Sequence, residues 1–517
     1  MKNILFVISI LLSLWLTSCY EDKGNYTYGD KQAIRIDGLE ESYSGVSGVD
    51  TLKITPVIVS DKNIVHYEWG IYDVSVATFE EIMLDSVAEL CYPIGLPQGV
   101  YTLLFRVTDE QGYTEVATTQ LSITTAYTEG WLVLKELDNN TELDLYPPGK
   151  EPAQDLFSKL YGRALRGKPV GLSMFSVHNF HDTSGTAVRN GFVIFPISEE
   201  ESPMIRLSDM QWVYDFEDML YEGPQNGEKA LNYVFGANYF KGMITDQYAR
   251  CSQTNGPPGA PGKWGVPAIA QTEIKLSRYI ACTASYVYST VMYDDLNGAF
   301  LQMDNFGTTV NLYKSTDKDK VPVKPFGLNC RLVYMKQTGK RNVAYAILEH
   351  KESHERYVFT INTESSRNAN PIVAVDTLSA GLKINQASIF SVNGDLPYIY
   401  YAVGNECYLY DISTRTEEKI NLVNADPTTV NDGDEEITLV EHIYWRGTPV
   451  ASQWDYFIVA THANGYYKLY LHKTRAGRPD FSEKVTLYQG EGKVAAIHYA
   501  MPKMGGVMVS LTYYPYN

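Results

Sequence analysis

Residues 398–412 read YIYYAVGNECYLYDI, and this stretch shows how most of the chain is built. An aromatic and aliphatic run at residues 398–403 meets a polar turn at residues 404–406, and a second aromatic and aliphatic run follows. Two apolar runs joined by a short polar turn that contains glycine predict a β-hairpin.

Hairpins of the same kind recur from residue 130 to the end of the sequence. Clear instances lie at residues 131–146, 192–207, 299–313, 343–361, 398–412 and 456–471, with a weaker one at 233–244. Their first strands begin about 54 residues apart on average, close to the roughly 40–50 residues of a β-propeller blade. A single amphipathic sheet cannot bury both of its faces, whereas sheets stacked around an axis can.

We therefore predict an all-β fold in which residues 127–517 form a β-propeller of about seven blades. Residues 494–514 would supply the closing strands, and one short helix is expected near residues 154–165. A pair of large β-sandwiches is the alternative architecture.

The composition excludes several classes of protein. The chain has 517 residues, a net charge of −18 and 44% hydrophobic residues, which is typical of globular proteins and not of disordered or fibrous ones. Its acidity argues against nucleic-acid binding, which needs clustered Lys and Arg. Tyrosine is abundant, with 40 residues, which favours sheets and polar-rimmed contact surfaces.

The first 18 residues have the pattern of a secretory signal peptide. A basic start at Lys2 precedes an apolar run at residues 4–16, which is too short for the roughly 20 residues of a membrane-spanning helix. The run ends in LTSC, which matches the lipobox of bacterial lipoproteins, so Cys19 is predicted to be lipidated. An ordinary signal peptide cut near this position is the alternative. Residues 19–31 would be a tether, in which Glu21 and Asp22 resemble the export signal that sends lipoproteins to the outer face of the outer membrane. Two charges in a solvated tether, without a signalling role, are the alternative.

Residues 32–126 are predicted to form a small Ig-like β-sandwich, because short strands and turns alternate at the spacing of that fold. Tyr67, Glu68 and Trp69 resemble the Y-x-W strand of a PKD domain. The segment at residues 99–112 resembles its G-x-Y…V-x-D…G hairpin. Trp69 is then a core residue.

No catalytic, metal or cofactor site is predicted. The sequence lacks a G-x-S-x-G elbow, an H-E-x-x-H motif, a P-loop and a G-x-G-x-x-G loop. The five cysteines after Cys19 are scattered, which indicates neither a zinc site nor a disulfide framework. His350 and His354 have the spacing of helical ligands but lie in a predicted hairpin turn. Residues 178–182, HNFHD, are predicted to be a polar loop.

Three tryptophans are the candidate ligand contacts. Trp264 ends the unusual segment NGPPGAPGKW, which is predicted to be a rigid exposed loop, and binding residues concentrate on such loops. Trp445 and Trp454 flank the turn RGTP at residues 446–449. Packing of these rings in the core is the alternative for each.

The opening of the mature chain, CYEDKGNYTY at residues 19–28, together with the PKD-like segment, resembles the PKD-like lipoproteins of Bacteroidota. That resemblance covers residues 1–126. It implies a surface lipoprotein that assists a SusC/SusD-type importer, in which SusC is a TonB-dependent transporter and SusD a lipoprotein lid. We therefore expect a non-enzymatic protein that captures oligopeptides or glycans. A surface glycoside hydrolase or lyase on a propeller scaffold is the alternative.

Overall fold

In the computed structural model the described residues are 34–73, 81–235, 240–253, 262–282, 290–304, 307–316, 319, 321–340, 342–422, 435–446 and 453–500. The predicted signal peptide, Cys19 and the tether at residues 19–31 lie outside these ranges. None of the helices in the described ranges has the length and hydropathy of a membrane-spanning segment.

The N-terminal part is a β-sandwich. Its strands are β1 (Arg35–Asp37), β2 (Ser42–Val46), β3 (Thr51–Ile54), β4 (Val57–Val59), β5 (Ile64–Asp73), β6 (Ile82–Asp85), β7 (Leu90–Pro93), β8 (Gly99–Asp109) and β9 (Thr114–Thr124). The main sheet has the order β2-β9-β8-β5-β6, and the two-stranded sheets β3-β7 and β1-β4 contribute to the same core.

Two aromatic residues fix the sandwich core where the sequence predicted it. The Trp69 ring is fully buried and stacks 4.1 Å from Phe105, and its Nε1 donates to the carbonyl of Val87 at 2.9 Å. The hydroxyl of Tyr101 donates to the carbonyl of Pro97 at 2.7 Å, a bond of the tyrosine-corner type found in Ig-like sandwiches. The core role predicted for Trp69 is confirmed.

The strands that follow belong to the second, larger part. They are β10 (Gly130–Leu137), β11 (Asn140–Tyr146), β12 (Pro169–His181), β13 (Ala187–Ser198), β14 (Met204–Arg206), β15 (Gln211–Tyr214), β16 (Ala230–Phe235), β17 (Phe240–Thr245), β18 (Ala249–Gln253), β19 (Ile269–Ala270), β20 (Ala281–Cys282), β21 (Thr290–Asp294), β22 (Ala299–Met303), β23 (Thr309–Leu312), β24 (Cys330–Gln337), β25 (Val343–His350), β26 (Arg356–Asn362), β27 (Ile372–Thr377), β28 (Ile389–Val392), β29 (Tyr398–Val403), β30 (Glu406–Asp411), β31 (Thr416–Ile420), β32 (Glu436–Arg446), β33 (Gln453–Ala463), β34 (Tyr466–Arg475), β35 (Arg478–Pro479), β36 (Thr486–Glu491) and β37 (Lys493–Ala500).

The helical segments are short. They are α1 (Leu156–Tyr161), α2 (Phe216–Met219) and a 3₁₀ turn at Lys383–Gln386. The first lies within the range where the sequence predicted a short helix.

These strands form seven sheets arranged as the blades of a propeller. From the inside outward they are β37-β10-β11, β12-β13-β14-β15, β16-β17-β18, β20-β21-β22-β23, β24-β25-β26-β27, β28-β29-β30-β31 and β32-β33-β34. Strand β19 joins the outer edge of the fourth blade in parallel, and β35 and β36 both pair with β34 in the seventh. The predicted fold class, with about seven blades, is confirmed, and the alternative of two large sandwiches is wrong.

Each blade buries both of its faces against its neighbours. In β29, Ile399 and Tyr401 pack in the core shared with the fifth blade, whereas Tyr400 and Ala402 pack in the core shared with the seventh. Successive side chains of a strand point to opposite faces of its sheet, so a strand between two blades is apolar at every position. This explains the unbroken apolar run at residues 398–403. Its turn contains Gly404 at φ +62°, a conformation that glycine adopts without strain.

Strand β37 closes the ring. It pairs antiparallel with β10, so that Trp131 lies opposite Tyr499 and their ring centroids are 5.0 Å apart. The first blade therefore takes its innermost strand from residues 493–500 and its other two strands from residues 130–146. Closing strands were predicted at residues 494–514, of which the described residues end at 500.

A buried carboxylate joins the fifth and sixth blades. Glu349 accepts from Arg356 Nε at 2.9 Å, and the same guanidinium donates to the carbonyls of Ile384 and Ala387. Burial opposes ionisation of Glu349, but hydrogen bonds from Arg331, Arg356 and His354 lower its pKa to about 2. Glu349 is therefore ionised at neutral pH.

Candidate functional site

The innermost strands enclose a cavity on the propeller axis. Its volume is about 260 Å³, and residues on or next to the innermost strand of every blade line it. The polar residues of the lining are Asn232, Arg278, Tyr279, Tyr334, Lys336, Gln337, Ser388, Thr438, Glu441, His442, Tyr444 and His498. We call this space the axial cavity.

One ion pair crosses the axial cavity from the fifth blade to the seventh. Lys336 Nζ contacts Glu441 Oε1, and the hydroxyl of Ser391 donates to the same oxygen at 2.8 Å. Burial would raise the pKa of Glu441, but the Lys336 ammonium and the bonds from Ser391 and the His442 backbone lower it below its ordinary value. This carboxylate is therefore ionised, and its charge is matched by Lys336.

Arg278 is a second cation on the wall of the axial cavity, and it is exposed. Its guanidinium carbon lies 5.0 Å from the centre of the Tyr279 ring, and its Nη1 donates to the carbonyl of Val170 at 3.3 Å. Among the described residues no carboxylate forms an ion pair with it. The described lining thus carries two cations and one carboxylate, in a protein whose net charge is −18.

The two histidines of the cavity are held by hydrogen bonds. His442 Nδ1 accepts from the backbone N–H of Gly394 at 3.2 Å, which leaves its Nε2–H to donate to Asp455 at 2.9 Å. His498 Nε2 donates to the carbonyl of Leu172 at 2.6 Å. Burial lowers the pKa of His498 to about 4, so this ring is neutral at pH 7. Both ring nitrogens of His442 are occupied.

Two buried acceptors of the lining lack a donor. The amide of Gln337 is fixed because its Nε2 donates to the carbonyls of Lys340 and Val343 at 2.8 and 2.9 Å. Its Oε1 and the hydroxyl of Thr438 find no hydrogen-bond partner among the described residues. A buried polar atom without a partner costs about 1–3 kcal/mol.

Trp264 does not lie on an exposed loop. Its side chain is 0% exposed and sits in the core between the second and third blades, 5.5 Å from the Tyr233 ring and 6.3 Å from Phe175. A ligand has no access to such a ring, so the packing alternative accounts for this residue. The prediction of an exposed ring was wrong because the glycine and proline content concerns only the segment that precedes Trp264. It does not indicate which way the Trp264 side chain points.

Trp445 and Trp454 are opposite each other in the ladder between β32 and β33. Their side chains and the turn between the two strands lie outside the described residues, so their ligand contact stays a prediction. Both tryptophans are on strands of the seventh blade, whereas Trp264 packs between the second and third blades. The structure therefore does not bring either of them together with Trp264.

The loop predicted at residues 178–182 is also wrong. His178 lies within β12 and is 0% exposed, with its Nδ1 2.9 Å from Nζ of Lys241. Burial lowers the pKa of Lys241 to about 7 and that of His178 well below its ordinary value. His350 and His354, by contrast, flank the β25–β26 turn, where the sequence placed them.

The sequence prediction missed the residues of the axial cavity. It identified the hairpins, which are mostly the middle strands of the blades, whereas Lys336 and Glu441 lie on the innermost strand that precedes each hairpin. A charged residue in an otherwise apolar strand directly before a hairpin was the available signal. Arg278 precedes the two-residue strand β20, which no pattern in the sequence indicates.

A protein-family model matches the N-terminal part of the chain. Residues 19–169 match the PKD-like family, so the match covers the sandwich and continues through β10, β11 and α1. No curated protein matches the chain.

Solved structures resemble the chain only distantly. Dihydro-heme d1 dehydrogenase NirN has a TM-score of 0.34 at 8% identity, over 84% of this chain and 75% of that one. The WD40 domain of SCAP from fission yeast also has 0.34 at 8%, over 62% and 74%. SGBP-B of the mixed-linkage glucan utilization locus of Bacteroides ovatus, solved in complex with a mixed-linkage heptasaccharide, has 0.18 at 11%, over 89% and 94%. All three scores are below 0.5, so none of these proteins supplies a function for this chain.

Proposed function

We propose that the protein is a surface-exposed outer-membrane lipoprotein that holds a nutrient ligand in the axial cavity, beside a SusC/SusD-type importer. The ligand is an oligopeptide or a glycan, and the protein itself is not an enzyme. The observation that carries the proposal is the axial cavity, whose lining includes the exposed cation Arg278, which has no carboxylate partner among the described residues. Such a cation gains free energy when an anionic or polar ligand arrives.

Binding accounts for this cavity better than turnover does. Most glycoside hydrolases use two carboxyl groups, whereas Glu441 is the one carboxylate in the described part of the lining, and Lys336 neutralises it. A lyase needs a base that is free to take a proton. Both nitrogens of His442 already have partners, and burial lowers the pKa of His498 to about 4, which makes it a weak base at neutral pH.

The N-terminal segments give the proposed location. Acylation of Cys19 would anchor the protein, since each buried CH₂ group contributes about 0.8 kcal/mol and several chains give stable attachment. The sandwich would act as a spacer or docking module. A body held next to an importer raises the local concentration of a weakly bound ligand, so modest affinity suffices for uptake.

A variant that fills the axial cavity tests the binding site. Ala495 lies on β37, lines the cavity and is exposed, so a larger side chain there is accommodated without disturbing a core. We expect calorimetry on the mature protein to detect binding to members of a peptide and oligosaccharide panel, Ala495→Trp to abolish it and Ala495→Ser to preserve it. Release of product from any panel member would reject the non-enzymatic function. Unchanged binding by Ala495→Trp would reject the axial cavity as the site.

A second experiment tests location and partners. We expect protease treatment of intact cells to remove the protein, and Cys19→Ser to release it from the membrane fraction. Purification of the lipidated protein from gently solubilised membranes should recover a TonB-dependent transporter and a SusD-like lipoprotein. A protein that resists the protease and purifies without a transporter would contradict the proposed location and partnership.

A further inference from the structure

We infer that the axial cavity recognises a carboxylate, that Arg278 is the residue that binds it, and that the carboxylate belongs to the C-terminal end of a peptide. This inference deepens the proposed function and rests on it. It names the chemical class of the ligand and one residue that selects it.

Charge is the first argument. A protein with a net charge of −18 repels anions at long range, so an anionic ligand needs a local cation to hold it. Lys336 cannot serve alone, because Glu441 already neutralises it. Arg278 is the cation of the described lining that remains uncompensated.

The orientation of Arg278 is the second argument. Its guanidinium stacks on the Tyr279 ring and gives one N–H of Nη1 to the carbonyl of Val170, and Nη2 lies 3.3 Å from the Tyr279 hydroxyl. A guanidinium has five N–H groups, so donors remain for a carboxylate. A planar fork that is already held in place loses less entropy when it binds a carboxylate in bidentate geometry.

The rest of the lining favours a peptide end. The Glu441 carboxylate is an acceptor on the lining, as backbone N–H groups of a peptide would require. The apolar residues of the lining include Ile280, Phe390, Leu439 and Ile443. These residues suit the aliphatic side chains of a peptide.

The size of the cavity limits what enters. At about 260 Å³ it is slightly smaller than the roughly 300–1,000 Å³ of sites that enclose a drug-sized ligand. A space of this size takes only a short segment of a ligand, such as the end of a chain. The end that carries a negative charge in a peptide is the carboxyl terminus.

Calorimetry on the mature protein tests this inference. The probes are tripeptides with aliphatic C-terminal residues, each made with a free carboxylate and as a carboxamide, together with a uronic acid disaccharide and its neutral counterpart. We expect the free acids to bind at least about tenfold more tightly than the amides, as a charge-assisted bond predicts. Arg278→Gln should abolish that preference, and Arg278→Lys should retain part of it.

Arg478→Gln is the matched control. Arg478 also stacks on a tyrosine, 5.3 Å from the Tyr398 ring, but it pairs with Glu418 and does not line the axial cavity. Arg478→Gln should leave the affinities for the free acids and for the carboxamides unchanged. Equal binding of acids and amides by the wild-type protein, or a preference that survives in Arg278→Gln, would overturn the role of Arg278.

The remaining outcomes separate this inference from the proposed function. If Ala495→Trp abolishes peptide binding and Arg278→Gln leaves it intact, the axial cavity remains the binding site. Recognition of a carboxylate by Arg278 is then refuted. Selective binding of the uronic acid disaccharide without peptide binding would refute the peptide as the source. Absence of binding by every probe would refute the proposed function together with this inference.

Discussion

Replacement of Lys135 by methionine should destabilise the propeller at the seam between its first and seventh blades. Lys135 is 1% exposed on β10 and pairs with Asp144 at 2.9 Å and with Asp155 at 2.8 Å. Asp144 is 0% exposed and also accepts from the hydroxyl of Tyr467 on β34 at 2.6 Å. Asp155 is 32% exposed, so part of its carboxylate already contacts water. Asp144 has no such access.

The magnitude follows from the charge that remains. Removal of one partner from a buried ion pair costs about 3–5 kcal/mol, because the other charge stays buried without compensation. For a unit of about 370 residues the unfolding entropy is about 0.8 kcal/mol/K, so the melting temperature should fall by about 4–6 °C. Lys168→Met is the control. Lys168 forms an exposed ion pair with Glu136, which lies on β10 like Lys135. Exposed ion pairs contribute little to the free energy of unfolding.

The loss should also depend on pH. Burial raises the pKa of Asp144 above its ordinary value, and the Lys135 ammonium opposes that rise. Without Lys135 the pKa rises further, so the folded variant takes up a proton in mild acid and regains stability there. We expect scanning calorimetry to give a larger loss at pH 8 than at pH 5, and Asp144→Asn to restore at least half of it in the double variant. An equal loss at both pH values, or no recovery in the double variant, would refute the buried charge as the cause.

Three further predictions concern other parts of the fold. The stability that Glu349 provides relative to Glu349→Gln should be complete above pH 4.5 and disappear towards pH 2 in denaturant titrations, since its folded pKa is lowered. Truncation after Gly492 should abolish cooperative unfolding of the propeller as followed by calorimetry, because it removes β37, the innermost strand of the first blade. Trp69→Ala should cost the sandwich about 3–5 kcal/mol in urea titrations, because it empties a core position against Phe105. Failure of any of these would contradict the contact on which it rests.

The fold could be predicted from the sequence because its signals are local. The apolar run at residues 398–403, the turn at Gly404 and their recurrence every 50 residues or so follow from blades that are buried on both faces. Trp69 could be assigned to a core because the strand pattern around it alternates. Each of these signals is contained in a segment of a few consecutive residues.

The site could not be predicted because it is assembled from distant segments. Arg278, Lys336 and Glu441 come from three different blades, and only closure of the ring places them in one cavity. Nothing near any one of them indicates a neighbour so far along the chain. Trp264 shows the opposite error, since a local composition typical of an exposed loop gave no information about a ring that turns into the core.

The order of the strands in the first blade constrains how the molecule is made. A growing chain produces β10 and β11 early, and their innermost partner β37 is synthesised only after all the other blades. Until then the central strand β10 presents a bare edge of unpaired backbone groups, which other chains could capture. Closure of the propeller therefore depends on the last strand to be synthesised. A chain that ends before β37 contains nearly every hairpin but cannot close the ring of blades.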